Sequence, residues 1–182
     1  MKNDYIIRLE KETDHFEVEN LIRESFWNIY RPGCLEHYVI HCLRHDPAFI
    51  PQLDLVMEKD GKIIGQIIYM KAEIKADNGK KIPIVTAGPL CIDKNYRGKR
   101  IGSFLIGYFI SQMERQGYDK FYLDCLLHNL RAKNLYHCMG FKEIKEIVGF
   151  DGTNESKVEV VSFLRKKGDY YPSEFQVSFL DK

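Results

Sequence analysis

Two short turn signals do most to restrict what this chain can fold into. Asp60-Gly61 separates residues 53–58 from 63–76, and Asp77-Asn78-Gly79 separates the latter from residues 82–92. Gly beside Asp or Asn supplies the positive φ angles that a tight hairpin needs, and the flanking stretches are rich in Ile, Val and Tyr. Residues 53–92 therefore describe three consecutive strands in an antiparallel meander. Ahead of them, residues 5–9 form a short strand. A helix follows, capped by Thr13 or Asp14, with Val18, Leu21, Ile22, Phe26 and Ile29 at helical spacing. Pro32-Gly33 breaks it, and a second helix over 35–44 stops before Asp46-Pro47.

The pattern changes after Ile92. A polar, basic loop over 93–100 leads into a helix carrying Ile101, Phe104, Leu105, Tyr108, Phe109 and Met113, which closes at Gly117. A strand (121–127), a helix (130–139) and a strand (141–148) follow, with terminal strands expected over 158–164 and 175–180. Alternating strands and helices favour parallel pairing through right-handed crossovers. The expected fold is α/β (α+β), one domain over residues 1–182, with a single mixed sheet flanked by helices.

Composition removes several functions. With 27 Lys plus Arg against 26 Asp plus Glu, the net charge is +1, so no broad basic surface for nucleic acid is expected. Residues 101–110, the longest nearly apolar run, are too short to span a bilayer, so no membrane partner is expected. Met1-Lys2-Asn3-Asp4 does not open a secretory leader. Five cysteines, an odd number without CxxC spacing, fit reduced thiols in a cytoplasmic protein.

The loop over 92–103 is where local charge gathers. Lys94, Arg97, Lys99 and Arg100 precede a helix start whose N–H groups and dipole favour an anion. Gly98 and Gly102 let backbone approach a ligand without a Cβ in the way. Neither GxxxxGK[ST] nor GxGxxG spacing is present. A diphosphate site and a solvated basic loop are both consistent with this segment. In the strand before it, Gly88-Pro89 argues for a bulge or, alternatively, a simple edge-strand proline.

Two motifs extend this reading. Tyr96-Arg97-Gly98-Lys99-Arg100-Ile101-Gly102 resembles the R/Q-x-x-G-x-G/A motif of the GNAT superfamily of acyl-CoA-dependent N-acetyltransferases. Asn129-Leu130-Arg131-Ala132-Lys133-Asn134-Leu135-Tyr136-His137-Cys138-Met139-Gly140-Phe141 resembles that superfamily's NxxAxxLYxxxGF signature. The resemblance covers residues 53–150 and implies a mixed, mostly antiparallel twisted sheet with one splayed, bulged strand. It implies that Arg97, Gly98, Lys99, Arg100, Gly102 and Ser103 cradle the coenzyme A diphosphate. Arg100 stands where the motif has its first glycine, so its backbone must tolerate a Cβ there. The N–H groups of Leu90, Cys91 and Ile92 are implied to face the acetyl carbonyl and pantetheine amides. Asn129 is implied to bond pantetheine, cap the next helix, or both. Tyr136 is implied to be the general acid for the departing thiolate, and a core tyrosine packed on Met139 and Phe141 is the structural alternative.

The implied activity is transfer of acetyl from acetyl-CoA to a primary amine, on a small molecule or a peptide, by direct attack. The alternative from another class is a non-catalytic acyl-CoA-binding regulatory or interaction domain. The general base is open among Asp124, His128, Glu73 and a water-mediated route. Trp27, Tyr30, Arg31 and Tyr38 become selectivity residues for the acceptor, and the aromatic tail from Tyr170 to Phe179 either completes the sheet or contacts a partner chain, as in a homodimer. Cys34, His37, His41 and His45 fall at helical spacing, yet three ligands on one short helix converge poorly, so no metal is expected.

Overall fold

The computed structural model describes residues 5–29, 31–75, 78–150 and 157–168, and these form two compact units. The described residues through Leu105 form the first, and those from Ile106 onward form the second.

In the first unit, β1 (Ile6–Leu9), β2 (Leu55–Lys59), β3 (Lys62–Lys75) and β4 (Lys81–Ile92) make an antiparallel sheet in the order β1-β2-β3-β4. The meander is the expected one, and its first turn works as the sequence implied. Asp60 and Gly61 both hold positive φ, at 51° and 75°, and Lys59 pairs with Lys62 across them. Helices α1 (His15–Phe26) and α2 (Glu36–Leu43) cover one face of this sheet. Val18, Leu21, Ile22 and Ile40 pack there with Val56, Ile63, Ile68 and Cys91. Burying an aliphatic chain of this size contributes about 1.5–3 kcal/mol.

Helix α1 is shorter than expected. It ends at Phe26, and Ile29 is exposed. The cause is Asn28, which sits at φ 56°. Its N–H donates to the Gly33 carbonyl and its side chain accepts from the Gly33 N–H, tying the loop before α2 into a closed turn. Asp14 precedes the helix without capping it by side chain, because its carboxylate is held by Arg8 and the Lys11 N–H.

β3 is buried on both faces. Ile68 faces the α1–α2 core, and a Cβ at Gly65, on the opposite side, would meet Ile101 and Leu105 from the first turns of α3 (Ile101–Arg115). That is why residues 63–70 read as an almost unbroken apolar run.

The second unit contains the rest of α3, β5 (Lys120–Leu126), α4 (Leu130–Cys138), β6 (Lys142–Phe150) and β7 (Lys157–Lys166). Its sheet corrects the expectation of parallel pairing. The order is β5-β7-β6, and β7 pairs antiparallel with both neighbours. β5 and β6 run the same way, as a strand-helix-strand crossover requires, but β7 returns between them and takes their hydrogen bonds. Phe163 and Val161 of β7 are buried with Phe121, Met139 and Phe141. Arg165 is buried too, with Nη1 donating to Glu114 at 2.9 Å and its guanidinium over the Phe121 ring. The described strands thus form two sheets of four and three, and every strand pairing among them is antiparallel. Residues 175–180, expected as a further strand, lie outside the described residues, as does the tail from Tyr170.

Candidate active site

Among the described residues β4 is an edge strand, and it is bulged where Gly88-Pro89 suggested. Ile67 pairs with Leu90 and Tyr69 with Ala87, so Gly88 and Pro89 together stand opposite Ile68. Among the described residues both readings of that dipeptide, bulge and edge proline, hold together. Gly88 is required by close approach, since a Cβ would lie 2.5 Å from Ile68 Cγ2.

The register also sorts the three expected backbone donors. Asp93 N–H donates to the Ile64 carbonyl, so 64/93 is a hydrogen-bonded pair and 66/91 is the next. Cys91 is thereby committed to β3. Leu90 and Ile92 direct their N–H groups to the open edge, away from β3. The Cys91 side chain is buried in the α1–α2 core, and burial pushes its thiol up to about 12.

The loop after β4 is held by its own side chains. Asp93 accepts from the Asn95 N–H at 2.9 Å and from Lys62 Nζ at 2.6 Å. Burial pushes the Asp93 carboxyl up, but Lys62 and the Asn95 N–H outweigh it, and the carboxyl titrates below its ordinary range. Arg97 turns its guanidinium inward: Nε donates to the Ile92 carbonyl at 3.1 Å and Nη2 to the Ser25 carbonyl at 3.3 Å. Its side chain therefore ties the loop to β4 and α1. Lys99 lies over the Tyr96 ring, 4.8 Å from its centroid.

Gly98 holds φ 79° with nothing within 4 Å of a Cβ built on it. Arg100, whose backbone was expected to tolerate a Cβ, holds φ 62°, in the left-handed region that glycine enters freely and other residues seldom adopt. Its carbonyl accepts from the Phe104 N–H, the first in-helix bond of α3. The N–H groups of Ile101, Gly102 and Ser103 come before that bond and have no in-helix acceptor by helix geometry. Lys94, Lys99 and Arg100 are exposed around this start, while Ser103 is buried. Left-handed backbone at 98 and 100, helix-start N–H groups and exposed cations suit an anion of diphosphate size.

In the second unit, Asn129 caps α4, its Oδ1 accepting from the Ala132 N–H at 3.1 Å. The cap engages only Oδ1; Nδ2 carries the amide's two donors. Tyr136 is half-buried, with its ring 5.4 Å from Phe163 edge to face and 6.1 Å from Phe141. Of the packing alternative's two partners, Phe141 is a ring neighbour here, and Phe163 is a further one.

The base candidates are dispersed. Glu73 pairs with Lys81 at 3.0 Å across the β3–β4 ladder, and His128 is exposed. The Asp124 side chain and Tyr30 lie outside the described residues. Trp27 and Tyr38 are exposed, and Arg31 lines a cavity of about 470 Å³ with Asn28, Ile29 and Pro32. His41 bonds Glu19 and meets the His45 ring edge to face; among the described residues no three His, Cys, Asp or Glu gather as metal ligands. Ser25, Lys62 and Asp93 were missed as supports of the loop. Only Asp93, two residues before Asn95 at a strand end, carried a readable turn signal.

Comparison with known proteins agrees with this geometry. The chain is 32% identical over 97 residues to N-alpha-acetyltransferase 30 of Dictyostelium discoideum, covering 53% of this chain and half the length of that relative. A GNAT family acetyltransferase from Brucella melitensis, solved with acetyl-CoA, superposes with a TM-score of 0.61 at 25% identity, over 76% of this chain and 82% of that one. The ribosomal-protein-S18-alanine N-acetyltransferase of Escherichia coli shares the fold, with a TM-score of 0.65 at 15% identity over 96% and 99% of the two chains. A family model described as the acetyltransferase (GNAT) family matches residues 15–141, and the chain belongs to that family.

Proposed function

We propose that the protein binds acetyl-CoA along the open edge of β4 and transfers its acetyl group to a primary amine. The observation that carries this reading is the run of outward N–H groups at Leu90 and Ile92 leading directly into the loop with positive φ at 98 and 100 and the helix start at 101–103, whose N–H groups have no in-helix acceptor. The coenzyme supplies an activated acyl group as a thioester. The N–H groups of Ile101, Gly102 and Ser103, with Gly98, Lys99 and Arg100, hold its diphosphate. The Leu90 and Ile92 N–H groups bond the pantetheine and polarise the acyl carbonyl. Following the family motif, Tyr136 returns a proton to the coenzyme sulfur as the C–S bond breaks, and Asn129 Nδ2 steadies the pantetheine arm.

The acceptor is an amine that attacks directly, and a peptide α-amine is the first class to test. That choice rests on the name of the 32% identical relative, of which the chain spans half the length. Five free cysteines support a reducing, cytoplasmic setting. Calorimetry with acetyl-CoA, then turnover over peptides and small amines by the intact protein and the Tyr136→Phe variant, tests the whole reading. Absence of acetyl-CoA binding by the intact protein sinks it. Binding without transfer to any amine favours a non-catalytic domain.

A further inference from the structure

Away from the coenzyme edge, the first unit encloses a set of ionisable groups that the transfer chemistry does not use. Glu10, just past β1, has a fully buried side chain, and Asp54, just before β2, is 4% exposed. The Glu10 N–H donates to the Asp54 carbonyl at 2.9 Å, and after burial it is the Asp54 carboxyl that most raises the Glu10 pKa. From α2, Arg44 donates Nη2 to Glu10 Oε1 and Nη1 to Glu19 Oε1, each at 2.6 Å, and its side chain is 5% exposed. From β3, the buried Gln66 donates Nε2 to Asp54 Oδ1 at 3.2 Å. From α1, His15 Nε2 lies 3.8 Å from Glu10 Oε1, while Glu19 also bonds His41. The Cys91 thiol of β4 faces the same interior and is un-ionised.

The charge count does not balance if both carboxyls ionise. Two buried negative charges and Glu19 would face one buried guanidinium, and His15 cannot add a cation readily because burial and then Arg44 lower its pKa. One atom makes the deficit specific. Among the described residues, no donor reaches the buried Glu10 Oε2. A buried acceptor left without a donor is destabilising, and a proton held between two carboxyls supplies that donor.

We propose that Glu10 and Asp54 share one proton, and that this proton closes a clamp in which Arg44 holds the end of α2 against β1 and α1. Burial first, then the Asp54 charge, raises Glu10 to about 8, and burial raises Asp54 as well, so the proton belongs to the pair. The unfolded chain releases it at the ordinary glutamate pKa. Between that value and about 8 the folded state binds one proton more, so stability is fully present at low pH and falls as pH rises through this window. With two charges in the pair the clamp loosens, and α2 shifts with the loop that carries Trp27.

Urea unfolding of the full chain at about pH 5.5, 7 and 8.5, with Glu10→Gln and Asp54→Asn alongside, tests the proton. The wild type is expected to lose up to about tenfold in its folding constant per pH unit beyond the loss in Glu10→Gln, whose amide mimics the protonated acid. Carboxyl-carbon NMR of the wild type should show one pair titrating near pH 8, absent in either variant, and needs neither variant to fold. The emission of Trp27, the one tryptophan, should follow the same midpoint. Parallel stability curves for wild type and Glu10→Gln, or all carboxyls titrating in the ordinary range, overturn the shared proton. An unmoved Trp27 signal overturns its link to α2.

Discussion

Gly88→Ala is the substitution whose cost the structure specifies most closely. A Cβ at residue 88 would sit 2.5 Å from Ile68 Cγ2, against the 3.4–4 Å of ordinary contact, so about 1 Å of movement is required. Ile68 cannot supply it easily. It is β-branched, stiff at χ1, fully buried, and packed in the α1–α2 core. Displacement therefore falls on β4, at the bulge. Overpacking of a closed core costs about 1–3 kcal/mol, and the rigid neighbour places this case near the top, at about 3 kcal/mol. Gly98→Ala is the control: it meets open space at φ 79° and should cost only about 1 kcal/mol, from the left-handed backbone. Urea denaturation with unchanged m reads both values. A cycle with Ile68→Ala, which removes the clashing methyl, should show the two changes coupling by at least about 1 kcal/mol. A Gly88→Ala protein within about 0.5 kcal/mol of wild type, or strict additivity with Ile68→Ala, would refute the close-approach reasoning.

Three further outcomes follow from the same geometry. Brief alkylation of the native protein at mildly alkaline pH should label Cys42 and Cys138, which are exposed, long before Cys91, as read by peptide mass spectrometry. Arg97→Ala should release the loop from the Ile92 and Ser25 carbonyls and weaken acetyl-CoA binding about tenfold or more, while Arg97→Lys recovers little, because one ammonium cannot span both acceptors; calorimetry decides. Asp93 titrates low, so its contribution is present above the ordinary carboxylate pKa and is lost as pH falls through the depressed value. Asp93→Asn should accordingly flatten the acid limb of the stability curve.

The parts of the fold legible in the sequence are those fixed by neighbours in the chain. Asp60-Gly61 could be read because the φ values it adopts are a property of those two residues. Gly88-Pro89 was legible as a bulge for the same reason, and the loop at 97–103 because its glycines and cations are contiguous. Asn28 was a readable signal that a long apolar spacing masked, since Ile29 extended the helical pattern past the true end. The place of β7 was not legible: a strand's neighbours depend on pairing energies across the chain, and nothing within residues 157–166 says they insert between β5 and β6. The Glu10–Asp54–Arg44 cluster was invisible because its members come from separate elements, each ordinary in its own sequence context. In the candidate site, the division of Leu90 and Ile92 from Cys91 needed the ladder register, which alternation alone leaves undetermined by one residue.

The central position of β7 bears on how the protein is made. β5 leaves the ribosome well before β7, and its only described partner in the sheet is the last strand of that unit to be synthesised. β6 waits less, since it adjoins β7 in sequence as well as in space. During translation the second unit therefore exposes an unpaired β5, with Phe121 and Leu123 uncovered, until residue 166 has emerged. In the first unit only the four-residue β1 waits in this way, for β2; from β2 onward each strand meets its partner as soon as the next turn is complete. Nascent chains stalled between residues 126 and 157 are thus the forms of this protein most in need of a chaperone.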